Sequence, residues 1–363
     1  EMSELIYPFD DVPAFGTTLE VADGVYWIRM PLPMSLDHIN LYLLEDDDGW
    51  WVVDTGIKTR EISSHWQTIF ENELKGKSIK GVLITHMHPD HIGQAGWICK
   101  KFRVPLYMTF GEYYSARTYA KSSAEDLEWT HEAYYRGAGF DDSYFENMKA
   151  HFTGYAAFVE PIPSSFIRLS EGTELIIADR RWQVAIGSGH SPEHACFYCK
   201  ELNLMLSGDQ IIPRITSNVS VSAAEPEGNP LKNWMESLEK FFRFPDSALI
   251  LPSHNTPFVG LHARLRFLIE HHKDHLSALE EACVEPRTAM SLLPVLFKRA
   301  LDDSHKSMAV GECIAHLNYL IYENKLLRDI DSQGVYHYRS LDPNLVIRGA
   351  SGSHHRDESP LQV

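Results

Sequence analysis

Short apolar runs separated by turn residues dominate the first quarter of the chain and predict β-strands. A stretch with apolar residues at helical spacing interrupts them over residues 60–74, and a second one follows the last run over residues 92–102. The apolar runs lie at residues 24–28, 39–44, 50–53 and 81–84. Strands that alternate with helices in this way predict a mixed α/β fold.

The same mixture returns in the second half of the chain. A helix is predicted by Leu231, Trp234, Leu238 and Phe241, because their spacing of three to four residues places them on one face. The predicted strands lie at residues 174–178, 182–186, 195–198, 204–206 and 248–251. Two halves that each combine strands with helices predict a layered αββα sandwich, an α/β (α+β) fold, over residues 1–260.

Residues 111–151 are predicted to form a helical insertion in this domain, and the insertion is rich in tyrosine, phenylalanine and tryptophan. Aromatic side chains at helical spacing most often pack a segment onto the body of a protein, and we favour this interpretation. A lid over a functional site is the alternative.

After residue 260 the pattern changes to helices followed by a short hairpin. Residues 261–286 predict a long connector helix. Residues 287–345 predict a small winged-helix-like domain, in which helices precede two strands joined by the turn 331–334. Residues 346–363 combine glycine, serine and charged residues, which predicts a flexible tail.

Composition and charge narrow the choice of partner. The 363 residues carry a formal net charge of −17, which disfavours binding to nucleic acid or to an anionic membrane. No stretch is apolar enough to span a membrane, and the first residues lack the pattern of a signal peptide. Five cysteines do not suggest a disulfide scaffold. We therefore expect a cytoplasmic protein. Nearly balanced charges in the winged-helix-like segment favour a homodimer contact or closure over the active site.

Three histidines and an aspartate stand together directly after the fourth apolar run. The pattern is His-x-His-x-Asp-His, formed by His86, His88, Asp90 and His91, and it lies on a predicted strand-to-helix turn. Imidazole and carboxylate groups bind zinc, iron and manganese ions, so this spacing predicts a metal site. A histidine-rich surface turn is the weaker alternative.

A site for two metals needs further ligands, and three later strand ends offer them. His190 lies in Gly-His-Ser-Pro, Asp209 in Ser-Gly-Asp and His254 in Pro-Ser-His. Small neighbours let the backbone approach a metal closely. A single histidine or aspartate at a strand end is more often a turn residue, but three of them in this order favour a ligand set.

The order of these motifs resembles that of the metallo-β-lactamase superfamily, in particular its glyoxalase-II-like hydrolases. The resemblance covers roughly residues 20–260 and implies an αββα sandwich with the metals at the seam between the two sheets. Asp54 is implied as a residue that supports the ligands. The resemblance assigns His86, His88 and His190 to one metal and Asp90, His91 and His254 to the other, with Asp209 bridging both.

The resemblance implies a dinuclear metal-dependent hydrolase. A hydroxide that bridges the two metals would attack the substrate, and Asp90 or a metal-bound water would return the proton. Two divalent metal ions are expected, zinc first, with iron or manganese as alternatives. The expected substrate is a small-molecule ester, thioester or lactone. Asp209 stands where the commonest β-lactamases carry cysteine, and His88 where flavodiiron proteins carry glutamate, so antibiotic hydrolysis and oxygen reduction are not expected.

Two other functions stay open. The C-terminal module resembles the winged helix attached to a subset of these hydrolases, one of which is an endoribonuclease. This resemblance leaves a metal-dependent endoribonuclease or phosphodiesterase as an alternative. The third hypothesis is a metal-binding sensor without catalytic activity.

Arg214 and Asn218 are the candidate substrate-binding residues, because they follow Asp209 closely along the chain. Arg214 can hold a substrate carboxylate through two hydrogen bonds. It can equally pair with a carboxylate of the protein, and the sequence leaves both readings open.

Two further groups mimic functional motifs. His271 and His275 share one face of the predicted connector helix, but His272 stands where zinc proteases carry glutamate, so we predict a solvated helix face. Cys196 and Cys199 point to opposite faces of a strand, which favours core packing over a redox or zinc pair.

Overall fold

The computed structural model of the chain describes residues 5–342, which fall into two compact units. The first unit comprises the residues up to 122 together with 153–217 and 241–264. The second comprises 123–152, 218–240 and the residues from 265 onward. The flexible tail predicted at 346–363 lies outside the described residues.

A seven-stranded sheet forms one layer of the first unit, and its strands lie side by side in chain order. The pairs from the first strand to the fourth are antiparallel, and the pairs from the fourth to the seventh are parallel. The strands are β1 (Leu19–Ala22), β2 (Val25–Pro31), β3 (His38–Glu45), β4 (Gly49–Val53), β5 (Ser78–Leu83), β6 (Leu106–Thr109) and β7 (Ile167–Leu169).

Helices supply the crossovers that the parallel pairs need. Helix α1 (Arg60–Asn72) connects β4 to β5, and its N-terminus is capped by the Thr59 side chain. Two short helices, α2 (Pro89–Ile92) and α3 (Ala95–Phe102), connect β5 to β6. Helix α4 (Phe110–Tyr119) follows β6.

A second sheet of five strands completes the first unit, in the spatial order β12-β11-β10-β9-β8. Its pairs are antiparallel except for the parallel pair of β11 and β12. The strands are β8 (Glu174–Ile177), β9 (Arg180–Gly187), β10 (His194–Cys199), β11 (Leu204–Gly208) and β12 (Leu249–Pro252).

The core of the first unit lies between these two sheets. Trp27 and Trp51 from the first sheet and Trp182, Phe197 and Leu206 from the second belong to one buried cluster. Burial of aromatic and branched side chains from both inner faces is the main force that holds the two sheets together. The structure therefore confirms the predicted mixed α/β body of two facing sheets with helices.

All five cysteines lie in the described part of the chain, where they are buried and form no disulfide bond. Cys196 and Cys199 lie on β10, and Cys199 belongs to the cluster between the sheets. Packing is thus the role that the structure gives this pair.

The second unit is mainly helical and ends in a two-stranded hairpin. Within residues 5–342, no helix is long and apolar enough to cross a membrane. The elements of this unit are α5 (Trp129–Ala138), α6 (Asp142–Ala150), α7 (Pro230–Phe241), α8 (Leu261–Ala282), α9 (Ala289–Leu296), α10 (Asp303–Tyr322), β13 (Leu326–Ile330) and β14 (Tyr336–Ser340), where α7 and α8 each continue across the border with the first unit.

Several aromatic side chains around α5 and α6 pack together, whereas Trp129 at the start of α5 is 74% exposed. The Phe140 and Tyr144 rings stack with their centroids 4.2 Å apart, and Tyr135 and Phe145 join them. This arrangement favours the packing interpretation for α5 and α6.

The prediction of a solvated histidine face on α8 is wrong. His271, His272 and His275 are all buried, with at most 4% of each residue exposed. Helix α10 packs beside this part of α8, and its His316 contacts the His272 ring. The prediction failed because histidine, a polar residue type, was assumed to be exposed. In the structure, helix α10 covers this face of α8.

Acid is expected to destabilise the protein through these buried imidazoles. Burial lowers the pKa of His316 to about 4, below the value near 6.5 of an exposed histidine. Between these values the unfolded chain binds a proton that the folded chain does not, so the free energy of unfolding falls by about 1.4 kcal/mol per pH unit for each such group as the pH drops below 6.5. The measurement is urea unfolding of metal-free protein between pH 7.5 and 4.5.

The variant His316→Gln should show a shallower decline of unfolding free energy with acid than the wild type. His305, on the same helix but partly exposed, supplies the control variant His305→Gln, which should keep the full decline. Equal pH slopes for His316→Gln and wild type would count against this account.

Candidate metal centre

The histidine-rich turn lies where β5 ends and α2 begins. His86 and His88 occupy the loop, and His88 is the extended residue that precedes the helix. Pro89 takes the first helical position, which suits its fixed φ angle and its lack of an amide hydrogen. Asp90 and His91 follow in the first helical turn, so one short loop and one turn present four donor side chains.

The other three predicted ligands come from the ends of three strands of the second sheet. His190 follows β9, Asp209 follows β11 and His254 follows β12. Gly208 has a φ of +54°, and a Cβ atom at this position would collide with the His194 ring. Glycine therefore permits both the backbone turn that precedes Asp209 and the close approach of His194.

The structure brings four of the predicted ligands into a first group, formed by His86, His88, His190 and Asp209, whose donor atoms lie within 4.8 Å of one another. His86 Nε2 is 3.1 Å from His88 Nδ1 and 3.2 Å from Asp209 Oδ2. His190 Nε2 is 3.3 Å from the same carboxylate oxygen.

A second group contains Asp90, His91, His254 and again Asp209, under the same limit of 4.8 Å. His91 Nε2 lies 3.0 Å from Asp209 Oδ2, and His254 Nε2 lies 3.4 Å from Asp209 Oδ1. Asp90 Oδ2 is 3.4 Å from both imidazoles. Asp209 is thus the residue that the two groups share.

The donor set fits divalent metal ions. Asp209 Oδ1 and His254 Nε2 are buried and make no hydrogen bond with any described residue, although they face each other. Buried polar atoms are normally paired, and atoms that converge without a hydrogen bond are suited to a cation. Histidine and aspartate together are ligands for zinc, iron and manganese.

Electrostatics in the centre also favour cations. Burial disfavours a charged His91, but the carboxylates of Asp209, Asp90 and Asp54 outweigh burial and hold the His91 pKa well above its usual range. Burial, with the neighbouring His190, lowers the pKa of His88 to about 3, which keeps that imidazole neutral. The raised pKa of His91 reflects the negative potential of these carboxylates, which also attracts a metal ion, and His91 must lose a proton when it binds one.

Asp54 supports the ligands, as the resemblance implied. Its Oδ2 accepts hydrogen bonds from His91 Nδ1 at 2.7 Å and from Thr85 Oγ1 at 2.8 Å, and its Oδ1 accepts one from the Thr85 amide at 2.8 Å. Because Nδ1 keeps its proton for Asp54, Nε2 is the nitrogen that His91 would offer to a metal ion. Asp54 thereby fixes both the tautomer and the orientation of His91.

Replacing Asp54 with asparagine is expected to weaken the metal affinity or the activity by roughly 10- to 100-fold, the usual effect of losing such a support. Asp54 has a φ of 61°, a conformation that asparagine also tolerates, so the backbone should persist. Metal affinity and hydrolysis are measured together with circular dichroism. Wild-type affinity and activity in a folded variant would show that Asp54 does not orient the ligands.

The sequence did not reveal three residues that hold the ligand loops. His194 Nε2 accepts a hydrogen bond of 3.0 Å from the Asp209 amide. The buried Glu112 carboxylate accepts hydrogen bonds from the amides of Met87 and Glu193, each at 3.3 Å, and the Tyr155 hydroxyl donates to the Met87 carbonyl. His194 stands four residues after His190, and this was the one signal that could have marked it.

Burial raises the pKa of Glu112 to about 7, against the opposing effect of its hydrogen bonds with Ser191 and the two amides. The Glu112 carboxyl group links Met87, in the loop after β5, to Glu193, in the loop after β9 that carries His190. It therefore ties these two ligand loops together.

The predicted substrate contacts lie in different units. Arg214 is exposed in the first unit, its guanidinium lies 4.5 Å from the centre of the Tyr7 ring, and its amide donates to Asn255 Oδ1 at 3.2 Å. Asn218 belongs to the second unit, where its side-chain oxygen accepts a hydrogen bond from Ser220. The stacking of Arg214 on an aromatic ring was not anticipated.

Comparison with known proteins supplies a family for this arrangement. Residues 34–254 match the family model of the metallo-beta-lactamase superfamily, and residues 276–341 match that of the metallo-beta-lactamase-like C-terminal domain. The second match describes the C-terminal module as a domain that accompanies this fold, and the winged-helix reading stays a prediction.

Three known proteins illustrate the likeness. The crystal structure of a beta-lactamase domain protein from Burkholderia ambifaria has 39% sequence identity and a TM-score of 0.86, covering 93% of this chain and 99% of that one. The probable metallo-hydrolase YqgX of Bacillus subtilis is 25% identical over 63% of this chain and 89% of its own length. The human acyl-coenzyme A thioesterase MBLAC2 is 23% identical over 53% of this chain and 64% of its own length.

Proposed function

The chain belongs to the metallo-beta-lactamase superfamily of metal-dependent hydrolases, and from this membership we propose that it is a dinuclear, glyoxalase-II-like hydrolase of a small-molecule thioester, ester or lactone. One observation carries the proposal, namely that a single buried carboxylate, Asp209, belongs to both groups of possible metal ligands. A shared carboxylate can bind two neighbouring cations at once, one through each oxygen.

Each of the two groups of possible ligands would hold one of the two proposed ions. His86, His88 and His190 would hold one ion and Asp90, His91 and His254 the other, with Asp209 between them. When bound, divalent ions supply a water of lowered pKa and polarise the substrate carbonyl, with zinc as the expected metal.

Asp90 is the proposed catalytic carboxylate. Its side chain is 18% exposed, whereas those of His91, His254 and Asp209 are fully buried, so Asp90 is the member of its group that reaches solvent. A carboxylate at this boundary can accept the proton of the attacking water and return it to the leaving thiol or alcohol.

Thioesters stand first among the substrates because the named human relative is an acyl-coenzyme A thioesterase. Esters and lactones belong to the same class of acyl transfer, since in each case a water attacks a carbonyl carbon and a sulfur or oxygen group departs. The formal charge of −17 disfavours a polyanionic nucleic-acid substrate.

A substrate panel tests the proposal. Zinc-loaded protein is assayed with a nitrophenyl ester, an acyl thioester, a lactone and bis-nitrophenyl phosphate, and His190→Ala serves as the inactive control. We expect turnover of at least one acyl substrate in the wild type alone. Turnover of the phosphodiester alone would replace this proposal by a phosphodiesterase, and activity on none of the four would contradict hydrolysis.

Arg214 is proposed to recognise an anionic end of the substrate, since its guanidinium is exposed and held over the Tyr7 ring. The variant Arg214→Ala should raise the KM for anionic thioesters by roughly 10-fold, as expected for the loss of one charge-assisted contact. The KM for neutral thioesters should stay near the wild-type value. An equal rise for both substrate types would remove Arg214 from substrate recognition.

A further inference from the structure

Four buried histidines form a second cluster outside the metal centre. His271, His272 and His275 lie on α8 and His316 lies on α10, all within the second unit. Their residues are between 0% and 4% exposed. Neither the family models nor the proposed hydrolysis gives these residues a role.

The four rings form a closed circuit with spacings typical of metal ligands. Going round from His271, through His272, His316 and His275 and back to His271, the ring centres are 5.0, 5.2, 5.5 and 4.2 Å apart. Imidazoles on one tetrahedral zinc have ring centres about 5 Å apart, from a metal–nitrogen distance of about 2.0 Å.

The histidines of the metal centre show the same spacings. The rings of His86, His88 and His190 are 4.6 to 5.1 Å apart, and His86 Nε2 is 3.1 Å from His88 Nδ1. In the second cluster, His272 Nδ1 is likewise 3.1 Å from His316 Nε2. Two nitrogens on one tetrahedral zinc are about 3.3 Å apart.

Hydrogen bonds determine the protonation of His316 and leave one nitrogen of His272 without a partner among the described residues. His316 Nδ1 must carry a proton because it bonds to the Glu312 carbonyl oxygen at 2.8 Å, so His316 Nε2 presents a lone pair to His272. His272 Nε2 is buried and has no hydrogen-bond partner among the described residues. In the metal-free chain a hydrogen bond from His272 Nδ1 to the His316 lone pair joins the two rings, and a metal bound at Nδ1 would move the His272 proton to Nε2.

We infer that His272 and His316, with His271 and His275, form a further metal site that takes a divalent transition-metal ion such as zinc and links α8 to α10. Among the described residues, three or more donor atoms lie within 4.8 Å of one another only in the two groups of the metal centre. Binding at the second cluster accordingly requires the His271 and His275 rings to turn about their side-chain torsions.

The number of zinc ions bound per chain tests this site independently of the proposed hydrolase activity. Full-length protein is stripped with a chelator, reloaded with Zn²⁺, freed of loose metal and analysed for zinc per chain by mass spectrometry. The double variant His272→Gln and His316→Gln should hold one zinc ion fewer than the wild type, with unchanged hydrolysis. The control His305→Gln, on the same helix but outside the cluster, should hold as many ions as the wild type.

An equal zinc count in the wild type and the double variant would overturn the second site while leaving the proposed hydrolase intact. If the double variant does not fold, zinc-edge anomalous scattering from wild-type crystals decides the question. A peak between His272 Nδ1 and His316 Nε2 is expected, and the absence of any peak in the second unit would refute the site.

Discussion

Asp209→Asn should lower hydrolysis by at least about 10³-fold, because loss of a single preorganised polar group already costs roughly 10²- to 10³-fold and Asp209 serves both proposed ions. The amide keeps the shape of the side chain but carries no negative charge. Asp209 Oδ2 lies 3.0 to 3.3 Å from nitrogens of His86, His91 and His190, so both groups lose their shared anion. Rates on a thioester and zinc per chain are the two measurements.

An aspartate on the surface provides the control for this substitution. The Asp48 side chain is 74% exposed and pairs with Lys80, so Asp48→Asn should keep the wild-type rate and zinc content. If Asp209→Asn retained both its zinc and its activity, Asp209 would not be the residue that joins the two ions.

Gly93→Ala is expected to destabilise the protein by about 3 kcal/mol or more, the upper range for overpacking against rigid atoms. A Cβ atom at Gly93 would lie 2.6 Å from both Ile57 Cα and Pro89 O, and closer still to Gly56 O. All three atoms belong to the backbone, so no side chain can move aside. Since Gly93 directly follows α2, the displacement also moves Asp90 and His91.

Thermal and urea unfolding measure this effect, with Gly76→Ala as the matched control. Gly76 precedes β5, and a Cβ atom there would meet nothing within 4 Å. Its φ of +75° predicts a loss of only about 1 to 2 kcal/mol. An equal loss of unfolding free energy in the two variants would show that the close backbone contacts at Gly93 do not affect stability.

The sequence predicted the two-sheet body because strand and helix periodicities differ, and runs such as residues 50–53 and 195–198 are clearly apolar. The seven proposed ligands could be named because chemically distinctive side chains stand together or follow apolar strands. The structure places all seven in the two groups around Asp209.

The supporting residues were harder to find because they act through the backbone. Glu112 and Tyr155 hold the Met87 peptide from positions 25 and 68 residues away. Nothing in a linear sequence marks a carboxyl group whose partners are amides of distant loops. Asp54 was named only through the resemblance.

The histidines of α8 were noticed in the sequence, but their environment was predicted wrongly. A polar residue type on a helix face predicts exposure, but His272 is fully buried against His316 of α10. Which helix covers which face depends on tertiary packing, and the periodicity of a single helix does not contain this information.

Zinc titration of the metal-free chain, followed by thioester hydrolysis, determines whether hydrolysis needs two metal ions. The double variant His272→Gln and His316→Gln is used, so that zinc binds only at the two groups around Asp209. We expect no turnover without metal and a rate that rises until two zinc ions are bound per chain. Full activity before any metal is added, or saturation of the rate at a single ion, would contradict it.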